Sequence, residues 1–448
     1  MACSNVFLNK HFYIYGLGIS NQKVIDYFIK EDINYTVIND ENINKISKED
    51  VVIKSPGIPS KDKNLKILLD KEINIITDIE LFYLLRPNLK YIGITGTCGK
   101  TTTCTLLYNI LRLKYKVEVC GNIGIPIFTY IDTTLDYLIV ELSSYQLEYT
   151  NKFIPLFYII LNIYPHHINN HGTFENYLAA KLKPIYNLHE NQYLIINNEI
   201  SPYLSDWNLN CKLITYSNDY KSCDVKISDN QIIYDTFNYP IEIYDYFKID
   251  FNTLNFMSIV PILKELDISN QVINDAVKDF KQLNHRLEII YESDNLIIIN
   301  DSKSTSINSL YKAYINILSL YPNYHLTIIC GGKLDIDELN SSISYFQQIK
   351  NCKLLIFGEN RKYLKKYLVC ETYENLLETI NNIKLSGKDV ILFSPGAQSL
   401  DQFNSYIERG ITFKELIFNK LIKWNNYNLW YNRSNKQRWN YERIYSKY

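Results

Sequence analysis

Short β-branched apolar runs recur along the chain and alternate with longer stretches whose apolar positions repeat at helical spacing. Strands buried on both faces read as continuous Val/Ile/Leu runs, and the helices that cover them read as amphipathic segments. The alternation therefore predicts a parallel α/β architecture. Three runs lead into glycine-marked turns: Phe12–Tyr15 into Gly16-Leu17-Gly18, Lys90–Thr95 into Gly96, and Leu326–Cys330 into Gly331-Gly332. In doubly wound sheets such carboxyl-end turns are where ligands bind. The pattern divides into domains at 1–88 (ending near Arg86-Pro87), 89–283 and 284–420. The stretch 421–448 changes character, holding three of the four tryptophans with several Arg and Lys. It reads as a solvated tail, a docked helix or a basic-aromatic contact surface.

Composition narrows the function classes. A chain of 448 residues is too long for one ordinary domain, and 46% hydrophobic content supplies sizeable cores. Lys+Arg of 47 against Asp+Glu of 48 leaves a formal charge of −1, which gives no general attraction to nucleic acid or anionic membrane. The nine cysteines form no C-x-x-C pair and fit free thiols in a reducing cytosol. No basic n-region precedes an apolar h-region, and the apolar runs are strand-length, so a cytoplasmic protein without a membrane span is expected. The chain uses 39 Tyr and only 15 Gly.

The turn after Lys90–Thr95 carries the clearest chemistry. Gly96 and Gly99 let backbone N–H groups approach phosphate oxygens, Lys100 supplies a cation, and Thr101–Leu111 reads as a helix presenting its positive end. Thr101 or Thr102 can place a hydroxyl on Mg²⁺. The spacing is G-x-x-G-K-T, shorter than the usual phosphate loop. A plain strand-turn-helix corner would not need two glycines, a lysine and a threonine-rich helix start together. Further on, Asp136–Glu141 reads as a strand ending in a carboxylate, where a cation ligand is needed.

Thr95–Thr102, T-G-T-x-G-K-T-T, resembles the loop of the Mur ligase family, which joins amino acids to cell-wall precursors and is related to the folylpolyglutamate synthases. The resemblance implies three α/β domains: a Rossmann-like N-terminal domain, a P-loop-type central ATPase and a Rossmann-like C-terminal domain. It implies ATP binding by Gly96, Thr97, Gly99, Lys100, Thr101 and Thr102. Glu141-Leu-Ser-Ser-Tyr-Gln-Leu147 resembles a run of the family's D-glutamate-adding members and assigns Glu141 to Mg²⁺. Asn162–His167 resembles N-I-x-x-D-H, giving His167 to a second Mg²⁺, with His166 standing where the family has Asp. Ala179-Ala180-Lys181 matches the motif whose lysine is carbamylated, so the implied metal set is Thr101, Glu141, His167 and Lys181. Asn122, in Gly121–Gly124, matches the G-N-I-G turn that contacts the nucleotide substrate. Asn252 and Asn255 match the adenine-side H-N-x-x-N, with Phe251 in place of His.

Leu283–Glu288 and Asn300–Thr305 resemble L-x-H-R-x-E and N-D-S-K-A-T. They imply that Arg286 and Lys303 offset phosphoryl charge and that Asp301 holds the ribose or orients the clamp. Leu392–Phe403 resembles S-P-x-x-x-S-x-D-Q-F, placing Ser399, Leu400 and Tyr406 in an amino-acid pocket with Thr305 nearby. The family's pocket lysine lies about three residues beyond the Gly331-Gly332 pair. Here Asp335 occupies that position, and Lys333 is the substitute. In the N-terminal domain, Gly16 and Gly18 alone would suggest a dinucleotide site, although Asn21 replaces the third glycine of the fingerprint. Asp40, read as ending the second strand, is the ribose-binding acid. Ser55-Pro56-Gly57-Ile58-Pro59 resembles the family's S-P-G-[IV]-P uridine turn, favouring a UDP moiety on Gly16, Gly18, Asp40, Pro56 and Gly57.

The implied activity is addition of D-glutamate to UDP-N-acetylmuramoyl-L-alanine through an acyl phosphate. It would consume ATP with two Mg²⁺ ions and a carbamylated Lys181, in a monomer whose partners are small molecules. Lys100, His167, Lys181 and Lys303 are the catalytic set. Another Mur ligase or a folylpolyglutamate synthase is disfavoured by the S-P-G-I-P and S-P-x-x-x-S-x-D-Q-F runs. A degenerate nucleotide-binding scaffold without turnover is suggested by His166, Phe251 and Asp335 but opposed by the retained catalytic set.

Overall fold

The computed structural model describes residues 10–165, 167–219, 222–241, 250–278, 280, 284–334 and 343–421, with only the backbone at 168, 169, 250 and 251. His166, Asp335, the side chain of Phe251 and residues 422–448 of the stretch singled out above lie outside the described residues. The chain forms two compact units, divided between Lys281 and Gln282.

The first unit contains two parallel sheets. Strands β1 (Phe12–Tyr15), β2 (Tyr35–Val37), β3 (Val51–Lys54) and β4 (Asn74–Ile76) pair in the order β2-β1-β3-β4. Every residue of β3 is buried, as a central parallel strand requires. Helix Ile19–Lys30 joins β1 to β2, Lys63–Asp70 joins β3 to β4, and Asp78–Leu85 follows β4. The second helix starts at Asp62, whose carboxylate accepts from the Asn64 and Leu65 amides, and the third at Thr77, which accepts from Glu80.

The second sheet holds β5 (Lys90–Thr95), β6 (Val117–Gly121), β7 (Tyr137–Glu141), β8 (Phe157–Ile160), β9 (Tyr193–Asn197) and β10 (Lys212–Tyr216), in the order β10-β9-β8-β5-β7-β6. All neighbours are parallel. Helix Lys100–Leu111 buries Leu107, Ile110 and Leu111 against this sheet, and helix Asp250–Glu265 joins the same core through Phe256, Met257, Val260 and Leu263. β5 lies between β8 and β7, so the chain turns to opposite sides of the sheet at its carboxyl end, the position where ligands bind in doubly wound sheets.

A small antiparallel sheet, β11 (Lys226–Ser228), β12 (Gln231–Tyr234) and β13 (Phe237–Pro240), departs from the expected parallel pattern. Its first turn is the two-residue pair Asp229-Asn230, both with positive φ, the geometry that matches strand twist in a tight hairpin.

The second unit is built on β14 (Glu288–Glu292), β15 (Leu296–Asn300), β16 (His325–Gly331), β17 (Lys353–Phe357), β18 (Glu371–Thr372) and β19 (Asp389–Phe393), in the order β14-β15-β19-β16-β17-β18. β14 runs antiparallel to β15 and the remaining pairs are parallel. Among the described residues no helix is long and apolar enough to cross a membrane.

Candidate active site

In the first unit the carboxyl ends of β7, β5 and β8 bring Glu141, the loop from Gly96 and Asn162 side by side. The loop is tied to the end of β8. The Thr97 amide donates to the Asn162 carbonyl at 2.9 Å, the Cys98 amide donates to Asn162 Oδ1 at 2.8 Å, and Asn162 Nδ2 returns a bond to the Cys98 carbonyl at 3.1 Å. Gly99 caps helix Lys100–Leu111 with φ of 86°, and a Cβ there would meet Asn255 Oδ1 at 2.6 Å. Asn255 thus lies directly over the loop, on helix Asp250–Glu265, where Asn252 is also buried.

Lys100 Nζ donates to the carbonyls of Gly96 (2.7 Å) and Thr97 (3.1 Å). Lys181, from helix Phe174–Leu182, reaches the same point, with Nζ 2.9 Å from the Gly96 carbonyl and 3.2 Å from Thr95 Oγ1. It is 1% exposed and lies over the Tyr177 ring. Burial, and then the neighbouring Lys100 charge, hold its ammonium well below the usual lysine range. Tyr177 hydrogen-bonds Thr97 Oγ1 at 2.8 Å, closing the loop from the other side. Thr101 opens the helix, and Thr102 is buried beneath it.

Glu141 ends β7 at 1% exposure. Its Oε1 accepts from Asn122 Nδ2 at 3.1 Å, whereas Oε2 is buried with no hydrogen-bond partner. The Asn122 amide also bonds the Glu141 carbonyl, so the residue assigned from sequence to the nucleotide substrate sits directly on the carboxylate. His167 packs against Tyr145 with ring centroids 5.0 Å apart, and its φ is 58°. Tyr145 also stacks on His171, which hydrogen-bonds Ser144 at 2.9 Å. Among the described residues no cluster of three or more His, Cys, Asp or Glu could hold a metal ion. The set named from sequence has two residues of those types, Glu141 and His167, and relies on Thr101 and Lys181 for the rest.

The N-terminal turn departs from the sequence reading at one point. β2 ends at Val37, so Asp40 lies in the following turn, exposed, and is held by Asn64 Nδ2 (2.9 Å) and Lys63 Nζ (3.3 Å). These two partners keep its carboxyl below the usual range. The strand stops early because the Asn39 side chain bonds the Glu41 and Asn42 amides, turning the backbone away. Gly16 has φ of 84°, and Gly18 stands against Ser55, whose amide bonds the Tyr15 carbonyl. Pro56 and Gly57 follow at the surface. Asn21, in the third glycine's place, is a buried bracket: Nδ2 donates to the carbonyls of Gly16 (2.8 Å) and Ile53 (3.1 Å).

In the second unit the ends of β15, β19 and β16 lie adjacent. The turn carrying Arg286 folds onto the segment after β15. The Leu287 amide donates to Asp301 Oδ1 at 3.1 Å, and the Lys303 amide donates to the His285 carbonyl at 2.9 Å. Asp301 Oδ2 accepts from Ser394 Oγ at 2.7 Å, so this acid joins three segments. Burial pushes its carboxyl up to about 7, against the opposing pull of those hydrogen bonds. His285 is depressed to about 3 by burial, then by Lys414 and Lys303, and is neutral. Lys303 Nζ lies 3.7 Å from the centroid of the Tyr406 ring. Lys333 and Gln398 form a two-bond bridge that draws Lys333 alongside Ser399, which is buried, and Thr305 is half-buried near Gly396. Leu400 is 64% exposed, on the surface of this loop. Sequence reasoning missed Asn162 and Arg409; the first was legible only as part of a histidine motif and the second only as part of E-R-G.

The fold is that of the Mur ligases. The Mur ligase middle domain family matches residues 94–270. The crystal structure of MurF from Acinetobacter baumannii superposes with a TM-score of 0.61 at 15% identity, covering 84% of this chain and 92% of its own. MurF ligase from Thermotoga maritima in complex with ADP gives 0.60 at 15% identity, covering 85% and 97%. The chain belongs, within that fold, to the family of UDP-N-acetylmuramoylalanine–D-glutamate ligases. The enzyme of that name from Caldicellulosiruptor bescii is 31% identical over 422 residues, spanning 90% of this chain and 88% of its own length. That from Petrotoga mobilis is 32% identical over 412 residues, spanning 87% and 90%.

Proposed function

We propose that this protein joins D-glutamate to UDP-N-acetylmuramoyl-L-alanine at the expense of ATP, in the synthesis of peptidoglycan precursors in the cytoplasm. The observation that carries the reading is the convergence of Lys100 and Lys181 on the Gly96 carbonyl, beside the buried carboxylate of Glu141. Residues 1–88 take the uridine end of the substrate, 89–283 take ATP and 284–420 take the amino acid.

The substrate carboxylate attacks the γ-phosphorus of ATP, releasing ADP and leaving an acyl phosphate. The amine of D-glutamate then attacks the acyl carbon, loses a proton, and phosphate departs with the amide formed. Backbone N–H groups at Gly96–Lys100 and the ammonium of Lys100 receive the phosphates. Arg286 and Lys303 offset charge on the phosphoryl group. Lys333, Ser399 and Tyr406, with Thr305 and Leu400, select the amino acid.

The partnerless Oε2 of Glu141 fits a cation, because a buried carboxylate oxygen is costly unless charge or a donor meets it. Glu141, Thr101, His167 and a carbamylated Lys181 are the residues that would hold Mg²⁺, two ions in all. Magnesium would supply charge screening between the phosphates and the attacking carboxylate. Carbamylation needs a neutral amine to add to CO₂ with loss of a proton, and the burial that lowers the Lys181 pKa favours that form. The protein acts as a monomer.

The test is amino-acid-dependent phosphate release with ATP, Mg²⁺ and UDP-N-acetylmuramoyl-L-alanine. D-glutamate is expected to support turnover. Turnover with L-glutamate or meso-diaminopimelate and none with D-glutamate overturns the choice of amino acid.

A further inference from the structure

Arg409 is the largest fully buried side chain among the described residues, at 0% exposure, and no role in substrate binding falls to it. Among those residues no carboxylate lies within ion-pair distance of its guanidinium. Its donors go instead to the backbone and hydroxyl of two separate loops. Nη2 donates to the Ser302 carbonyl at 2.8 Å and Nε to Ser302 Oγ at 3.2 Å, both on the segment after β15. Nη1 donates to the Ala397 carbonyl at 2.9 Å, on the loop after β19. The third loop of the edge also abuts it, since a Cβ on Gly332, after β16, would stand 3.3 Å from Nη1. One planar fork therefore bridges the turns of two adjacent strands and lies against the turn of a third.

Helix Tyr406–Leu421, which carries Arg409, is docked on the same segments by its neighbours. Ser302 Oγ donates to the Tyr406 carbonyl at 2.8 Å, and Asn300 Nδ2 donates to the Gly410 carbonyl at 3.2 Å. A Cβ on Gly410 would collide with His285 Nδ1, so only glycine lets the helix come this close. Ser302 is thus fixed between Arg409 and Tyr406. It directly precedes Lys303, whose ammonium lies over the Tyr406 ring, and Ala397 lies two residues before Ser399.

We infer that Arg409 is a positioning residue that holds Tyr406 and the Ser399 loop in one rigid frame for the incoming amino acid. It touches no substrate itself. A charged side chain is expensive to bury, and its retention here gives a geometry that a single-point cation cannot reproduce. Lysine has one ammonium on a flexible stem and cannot bridge the Ser302 and Ala397 carbonyls in a fixed plane.

The inference rests on the amino-acid role proposed for this edge, and Arg409→Lys and Arg409→Ala test it in the full-length protein. R409K is expected to raise the KM for D-glutamate about tenfold, with the KM for ATP unchanged and the melting temperature within about 4 °C of wild type. In R409A, guanidinium at sub-denaturing concentration is expected to restore amino-acid-dependent turnover where ammonium does not. Wild-type values for the D-glutamate KM in R409K would overturn the assignment. So would a parallel rise in both KM values accompanied by a large fall in melting temperature, which marks a purely structural role. If R409A does not fold, R409K alone decides. If wild type turns over with a different amino acid, the substrate reading fails, and the R409K comparison made with that amino acid still judges Arg409.

Discussion

At the scale of single residues the loop proposed to bind phosphate is set by contacts that permit no side chain. Gly99 combines φ of 86° with an Asn255 oxygen where its Cβ would be. Gly99→Ala is expected to cost about 1–3 kcal/mol of stability, because it adds left-handed strain to a steric overlap. The same change should lower ATP affinity about tenfold or more, since the amides proposed to meet phosphate shift with the loop. Thermal melting and nucleotide titration measure the two effects; an unchanged affinity would show that the loop tolerates the displacement. The need for glycine at 99 was legible in the sequence, but its physical partner was not. Asn255 lies more than 150 residues away in the chain, and only helix Asp250–Glu265 brings it over the loop.

At the scale of elements, the strands feeding the glycine turns and the helix after Lys100 follow from hydrophobic pattern alone. β5 spans Lys90–Thr95, and the helix begins at Lys100, one residue before the expected Thr101. What pattern did not give was turn chemistry without glycine. In this glycine-poor chain Asp229, Asn230 and Asp235 carry the positive φ of the small hairpins, and Asn39 ends β2 before Asp40. Short polar side chains can take these roles, yet the same residues are equally common in ordinary loops.

Helix Ser144–Glu148 is a further case. It is only five residues long and is held by a capping box, with Ser143 Oγ accepting from the Gln146 amide and Gln146 Oε1 accepting from the Ser143 amide. Ser143→Ala should cost about 1 kcal/mol in a denaturant melt. Because the helix begins three residues after Glu141, turnover should fall more than the stability loss explains. Loss of stability without loss of turnover would separate the cap from the site.

At the scale of the whole molecule, buried acids shape the response to pH. Asp78, at the start of helix Asp78–Leu85, is 1% exposed, and burial pushes its carboxyl up to about 6, partly offset by the helix-start amides and Ser20. A raised carboxyl is protonated more readily in the folded state. Stability from this group is therefore fullest below about 4, falls as the pH climbs to about 6, and is level above. The shift from 3.8 to about 6 is roughly 2 units, or ~3 kcal/mol at most. Asp78→Asn should remove this dependence and raise the melting temperature at pH 7.5, narrowing the difference between pH 4 and pH 7.5. An unaltered pH profile of melting would assign the dependence to other acids.

The sequence by itself determined the α/β class, the strand-to-turn junctions and the types of residue gathered at them, because periodicity and turn composition act locally. It also marked Lys181, Glu141, Arg286, Asp301 and Lys303 through motifs, without stating which of them meet. Tertiary structure decided that Lys181 and Lys100 share the Gly96 carbonyl, that Asn122 sits on Glu141, and that Asp301 joins Leu287 to Ser394. It also decided that Arg409 links the loops after β15 and β19 and lies against the one after β16. The reason is strand order. β7, β5 and β8, and likewise β15, β19 and β16, are neighbours in space although their turns are far apart in the chain. Adjacency of that kind is set by packing of the sheet and is not written in local spacing.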